Sequence, residues 1–233
     1  MMPVQLALAV SLRDDATLTN FHCDASRREV VEKISQLVLP GESEPLLLLG
    51  GAASGRSHLL QAACHLAAAD NRSCCYLPFA SGDERITPQI FDGLESVDVL
   101  ALDDIDRVAG RPEWEEALFH LFNRCRETGT ALLMSVSVPP LKAGFMLNDL
   151  ASRLAGCALC VLNPPDDEAL EAILQLRAKN RGMLLDAGIC RYIVHRAPRH
   201  LGSLIDMLEA LDKASLQKRR KITIPFVREL FGW

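Results

Sequence analysis

Pro45-Leu46-Leu47-Leu48-Leu49-Gly50-Gly51-Ala52-Ala53-Ser54-Gly55-Arg56-Ser57 is the stretch whose reading decides the fold. Leu46 to Leu49 is a short, continuous apolar run, the pattern of a parallel strand covered on both faces. Gly50, Gly55 and Ser57 then fit G-x-x-x-x-G-K-[ST], with Arg56 where that motif carries lysine. Apolar residues resume at Leu59, Leu60, Ala62, Ala63 and Leu66, a helical spacing. Strand, glycine-rich turn and helix start are the required context for a phosphate cradle. In it Gly50, Gly51, Ala52, Ala53, Ser54, Gly55, Arg56 and Ser57 turn backbone N–H groups toward phosphate oxygens, and the helix dipole assists. Ser57 would put its hydroxyl on a phosphate-bound Mg²⁺. The plain alternative is an ordinary strand-to-helix turn, which also favours glycine.

Working outward, Val97 to Leu102 is a second apolar strand, ending in Asp103-Asp104. Ligands of open α/β sheets bind beyond the carboxyl ends of the strands, so these acids share a rim with the glycine turn. Asp103 could hold Mg²⁺ through water, and Asp104 could polarise an attacking water; the alternative is that both merely cap the next helix. Cys74 to Pro78, Ala131 to Val136 and Cys157 to Leu162 read as further strands. Amphipathic helices alternate with them at Arg28 to Leu39, after the glycine turn to about Ala69, at Trp114 to Arg126 and at Asp149 to Leu154. That alternation predicts an α/β fold with a doubly wound parallel sheet. Beyond the hinge Asn163-Pro164-Pro165 the period is helical throughout, at Leu170 to Ala178, Ile189 to His195, Leu201 to Leu211 and after Thr223-Ile224-Pro225. The expected organisation is a peptide and linker over 1–20, an α/β nucleotide-binding domain over 21–163, and a small all-α lid over 164–233.

The 233 residues carry a net charge of -5, which offers no global basic field for nucleic acid. Eight cysteines lie scattered, the start has no basic-then-apolar leader, and no apolar run reaches the ~20 residues of a membrane helix. A reduced, cytoplasmic protein is therefore expected. Cys157 and Cys160 form a lone CxxC inside a strand; neighbours three apart there point to opposite faces, so these are packed thiols rather than zinc ligands. Cys74-Cys75 reads the same way. Lys218-Arg219-Arg220-Lys221 is a solvated loop, with a phosphate-backbone contact as the lesser reading. Gln5 to Val10 alternates apolar residues and fits either an edge strand or an extended peptide that docks into a partner's groove.

Together, the phosphate loop, the acidic strand end, Asp149-Leu150-Ala151-Ser152-Arg153-Leu154 and the lid resemble the AAA+ ATPases, and within them the DnaA-related proteins of the Hda type. Gly55-Arg56-Ser57-His58-Leu59-Leu60-Gln61-Ala62-Ala63-Cys64 and Leu211-Asp212-Lys213-Ala214-Ser215 carry much of that resemblance. It implies a negative regulator of chromosomal replication initiation. Gln5, Leu6, Leu8 and Val10 would bind the DNA polymerase III beta sliding clamp, although Ala9 replaces the usual proline. Arg153 would be an arginine finger acting in trans on the ATP of DnaA, catalytic beside Asp104. The cradle, with His58, would hold the chain's own adenine nucleotide, taken to be ADP. A homo-oligomer, a dimer at least, is expected, and no strong direct DNA binding, the expectation being that no DNA-binding domain follows the lid. Ser137 stands at the sensor position after the fourth core strand, and the lid's phosphate-contacting arginine falls near Gly202, with Arg199 the nearby candidate. Both departures, with Arg56, argue against efficient turnover by this chain itself. The rival reading is a self-acting AAA+ ATPase of the helicase-loader or initiator type.

Overall fold

The computed structural model describes residues 12–41, 44–79, 87–198 and 201–233. Gln5, Leu6, Leu8, Val10 and Arg199 lie outside the described residues.

Five apolar stretches form the expected parallel strands: β1 (Leu46–Leu49), β2 (Cys74–Pro78), β3 (Val99–Asp103), β4 (Ala131–Val136) and β5 (Ala158–Val161). Their spatial order is β2-β3-β4-β1-β5. β1, the strand that feeds the glycine turn, thus lies between β4 and β5, with Leu46 to Leu49 opposite Leu133 to Val136 on one side and Ala158 to Val161 on the other. All of β3 and β4 is buried, as continuous apolar runs demand when helices cover both faces.

Helices α1 (Ala25–Leu37) and α2 (Arg56–Ala69) cover one face through Val30, Ile34, Leu59, Leu60 and Ala63. On the other, α3 (Pro112–Thr128) and α4 (Asn148–Ala155) bury Trp114, Leu118, Phe122, Leu150 and Leu154. Trp114 and Phe122 are core residues, as their helical spacing predicts. The segment around Ile90, which reads in sequence as a short helix or turn, forms two 3₁₀ turns, Pro88–Phe91 and Leu94–Ser96. Cys157 packs on the α3/α4 side and Cys160 on the α1/α2 side, and all eight cysteines are free.

α5 (Asp167–Asn180), α6 (Ala187–Val194), α7 (Leu201–Lys218) and α8 (Ile224–Phe231) build a separate apolar core around Leu174, Ile193, Leu208 and Phe226. Asp166 and Asp186 cap α5 and α6 by accepting from Ala169 and Ile189 N–H, and Thr223 caps α8 through Phe226 N–H. The basic run is pinned to α8: Lys218 and Arg220 pair with Glu229 at 2.6 and 3.1 Å and stack over Phe226. The polar stretch before α1 is no loose linker. Ala16 is buried, Arg13 N–H donates to Gln61 Oε1 at 2.9 Å, and Arg177 of α5 donates to the Asp15 carbonyl.

Candidate functional site

Local sterics shape the turn between β1 and α2. Gly50 donates its N–H to the Val136 carbonyl at 3.2 Å, and a Cβ there would lie 2.5 Å from the Leu162 carbonyl and 2.6 Å from Ser54 Oγ. Only glycine fits that approach. Gly55, with φ of +99°, starts α2, and a Cβ would strike the Phe21 ring at 2.9 Å. Inside the turn Ser54 is 2% exposed, yet its Oγ has no partner among the described residues. A buried, unpaired hydroxyl costs free energy unless something occupies the turn. Gly51 and Ala52 are exposed on its outer side, and Ala53 has φ of +61°.

The acidic rim meets this turn as the strand order requires. Arg56, only 8% exposed, sets Nη1 2.9 Å from Asp104 Oδ1. The contact is an ion pair without hydrogen-bond alignment, since neither atom has a hydrogen-bond partner. Asp104 takes left-handed backbone, φ of +57°, and donates its N–H to Ser135 Oγ at 2.8 Å. Burial raises its carboxyl above the usual range; Arg56 opposes that, and the neighbouring Asp103 and Asp106 reinforce it. Asp103, 3% exposed, accepts from Tyr76 Oη at 2.7 Å and from Ser135 Oγ. Ser137, the sensor candidate, turns to Asp106, donating both N–H and hydroxyl to one carboxylate oxygen. Gly202 lies in the first turn of α7.

These residues do not fit a protein-held Mg²⁺. The ion needs near-octahedral oxygen ligands and carboxylate lone pairs free to serve it or its waters. Asp103 is 3% exposed, with each oxygen accepting a hydrogen bond, which leaves no open side for an ion or its waters, and Asp104 faces a guanidinium. The Ser57 residue alone stands exposed. Among the described residues no cluster of three or more His, Cys, Asp or Glu side chains could hold a metal.

A cavity opens between the turn and the lid, lined by Phe21, Gly55, His58, Pro165, Arg177 and Ile205. Its wall contains a network that sequence reasoning missed. Arg177, 7% exposed, holds Asp15 Oδ2 at 2.7 Å and donates from Nη2 to His58 Nδ1 at 2.9 Å. The His58 proton therefore sits on Nε2, which donates to the Thr17 carbonyl at 2.7 Å. Burial lowers the His58 pKa to about 4; the Thr17 bond and Asp15 oppose this, and Arg177 and Arg13 reinforce it. Between pH 6.5 and about 4 the unfolded chain binds the proton that folded His58 refuses. The contribution is complete above pH 6.5 and is lost as pH falls toward 4, on the order of 3 kcal/mol in all. His58→Gln, which can donate to Thr17 and accept from Arg177, should flatten that slope in urea melts across this range. An unchanged slope would clear His58 of the role.

Arg153 lies at the opposite end of the strands. It projects from the last turn of α4, stacks on Phe119 with 5.0 Å from guanidinium carbon to ring centroid, and lines a cleft with Glu44, Pro45, Arg126 and Cys157. Pro45 and Cys157 precede β1 and β5, whereas the phosphate turn follows β1; at the rise of a strand the two ends are about 13 Å apart. No carboxylate among the described residues pairs with Arg153. α4 is held at its start by Glu115 of α3, 0% exposed, whose oxygens accept from Leu147 and Gly110 N–H at 2.7 Å each.

Comparison with known proteins matches this architecture twice over. The family model of the bacterial DnaA ATPase domain matches residues 15–160, and that of the Hda lid domain matches residues 166–231. Among solved structures, domain III of the Thermotoga maritima replication initiation protein DnaA is 19% identical with a TM-score of 0.80, covering 96% of this chain and 98% of that one. AMPPCP-bound DnaA from Aquifex aeolicus is 19% identical with a TM-score of 0.71, covering 90% of this chain and 71% of that one. A Thermotoga maritima RuvB variant, 14% identical with a TM-score of 0.69, covers 93% and 71%.

Proposed function

This chain belongs to the bacterial DnaA ATPase family and carries a lid of the Hda type, and from that premise we propose that it regulates replication initiation by stimulating ATP hydrolysis on a DnaA partner. The observation that carries the reading is the position of Arg153. It lies across the sheet from the chain's own phosphate turn, without a carboxylate partner among the described residues, in an open cleft. From there it can reach a neighbour's nucleotide but not its own. On the same side of the edge strand β5, Leu159 and Val161 are 48% and 56% exposed, an apolar margin for a docked neighbour. A guanidinium supplied in trans stabilises charge developing on the γ-phosphate and is worth ~10³–10⁵ in rate.

The chain's own site then serves as a nucleotide cradle. AMPPCP binds the Aquifex DnaA, and in this reading the turn between β1 and α2 holds the phosphates of an adenine nucleotide, ADP, beside the cavity lined by Phe21, Gly55 and Ile205. With Asp104 tied to Arg56, the self-acting ATPase is the weaker alternative. The bound nucleotide would set the angle between sheet and lid, across which His58 and Arg177 already reach. A second copy, or DnaA itself, would complete the interface at Arg153.

Gln5, Leu6, Leu8 and Val10 supply the tether to the sliding clamp in this proposal. Pull-down on the purified beta clamp tests it: Gln5→Ala/Leu6→Ala should lose capture by roughly tenfold or more, as expected when peptide anchors are removed. Equal capture by wild type and variant refutes the tether and leaves the role of Arg153 to its own assay.

A further inference from the structure

We infer that the cradle binds its nucleoside diphosphate without a divalent cation, because Arg56 occupies the electrostatic place such a cation would take. The inference rests on the cradle reading above and names the ionic form of its ligand. Arg56 opens α2 directly behind the phosphate turn, and its side chain is nine-tenths buried. Nη1 stands 2.9 Å from Asp104, and among the described residues Arg56 donates no hydrogen bond. A buried guanidinium with its donors unspent, beside a buried and unpartnered Ser54 hydroxyl, is a site prepared for anionic oxygens.

Arg56 therefore has a charge partner at Nη1, and none of its guanidinium donors is spent on a hydrogen bond among the described residues. A diphosphate bound among the turn N–H groups would be neutralised by Arg56 and by the N-terminus of α2. A divalent cation brought to the same phosphates would face a fixed positive charge, with the usual acidic ligands already engaged. Tyr76 and Ser135 hold Asp103, while Arg56 and, at 3.6 Å, Arg107 attend Asp104. Lysine at this position would place a compact, flexible charge on the phosphates and leave Asp104 open, so the exchange is not conservative.

Fluorescent methylanthraniloyl-ADP titrated into the full chain, once in excess Mg²⁺ and once in EDTA, reads this directly. Wild type should bind equally in both media, within about twofold, whereas Arg56→Lys should bind roughly tenfold or more tighter with Mg²⁺. Wild-type binding that tightens about tenfold in Mg²⁺, or an Arg56→Lys variant as indifferent to metal as wild type, overturns the inference. If Arg56→Lys does not fold, Asp104→Asn replaces it. Arg56 is then released to the phosphates and affinity in EDTA should equal or exceed that of wild type; weaker binding there contradicts the assignment. Wild type that binds in neither medium removes the cradle itself, and this inference with it.

Discussion

Arg153→Ala is expected to lower the stimulated rate of ATP hydrolysis by a DnaA partner by about 10³-fold or more, with little change in the concentration at half-maximal stimulation. The split follows from where the side chain sits. Arg153 is half-buried, stacked on Phe119, and has no ion pair to lose among the described residues. Truncating it removes a surface cation–π contact worth about 0.5–1 kcal/mol, too little to unfold the chain. The apolar margin at Leu159 and Val161 stays in place, so docking persists while the charge aimed at the transition state disappears. Arg153→Lys distinguishes a finger from a spacer: an ammonium cannot reproduce the planar donor fork, so most of the loss should remain. Stimulation of wild-type size from Arg153→Ala would remove the arginine from the mechanism. Partner ATPase assays, with binding of methylanthraniloyl-ADP to the variant as a folding control, give the answer.

How legible this site was in the sequence depended on whether its residues are neighbours in the chain. Gly50, Gly55 and Arg56 form one motif, and the apolar runs around them were long enough to be read as strands buried on both faces. The strand order, however, joins β1 to β4 and β5 rather than to β2, and no local pattern encodes that. Tyr76 and Ser135 converge on Asp103 only because β2 and β4 flank β3 in a particular register. A polar Ser135 inside the otherwise apolar Ala131–Val136 was the available signal, and it was read simply as part of a buried strand. The Asp15–Arg177 pair spans 162 positions and had no local signal, which is why the segment before α1 was expected to stand apart.

Arg56 changes meaning once Asp104 is seen beside it. In sequence it is a departure from a lysine motif. In the fold it is a buried cation 2.9 Å from the acid at the end of β3. Asp104 stays close to the glycine turn as expected, with the Arg56 guanidinium 2.9 Å from one of its oxygens. The fold of the DnaA ATPase family is thus retained, and in the proposed role its chemistry is directed at a neighbour.

Glu115→Ala should lower thermal stability by about 2–4 kcal/mol, a fall of roughly 5–15 °C for a chain of this size, and should also weaken stimulation through Arg153. Glu115 belongs to an acidic first turn of α3, where Glu113 faces outward to the helix dipole, and the next residue, Glu116, lies exposed 3.8 Å from His120. Glu115 alone turns inward, and its two oxygens accept from Gly110, after the acidic rim, and from Leu147, at the start of α4. Each bond is charge-assisted and short, and removing the carboxylate leaves two N–H groups with no acceptor in a partly buried seam. Glu115→Gln keeps one acceptor oxygen and should show about half the loss. The orientation of α4 depends on that seam, so the Arg153 guanidinium should lose its aim before the fold is lost. Stimulation measured well below the variant's melting temperature separates the two effects. A melting temperature equal to that of wild type would mean that solvent satisfies Gly110 and Leu147 without Glu115.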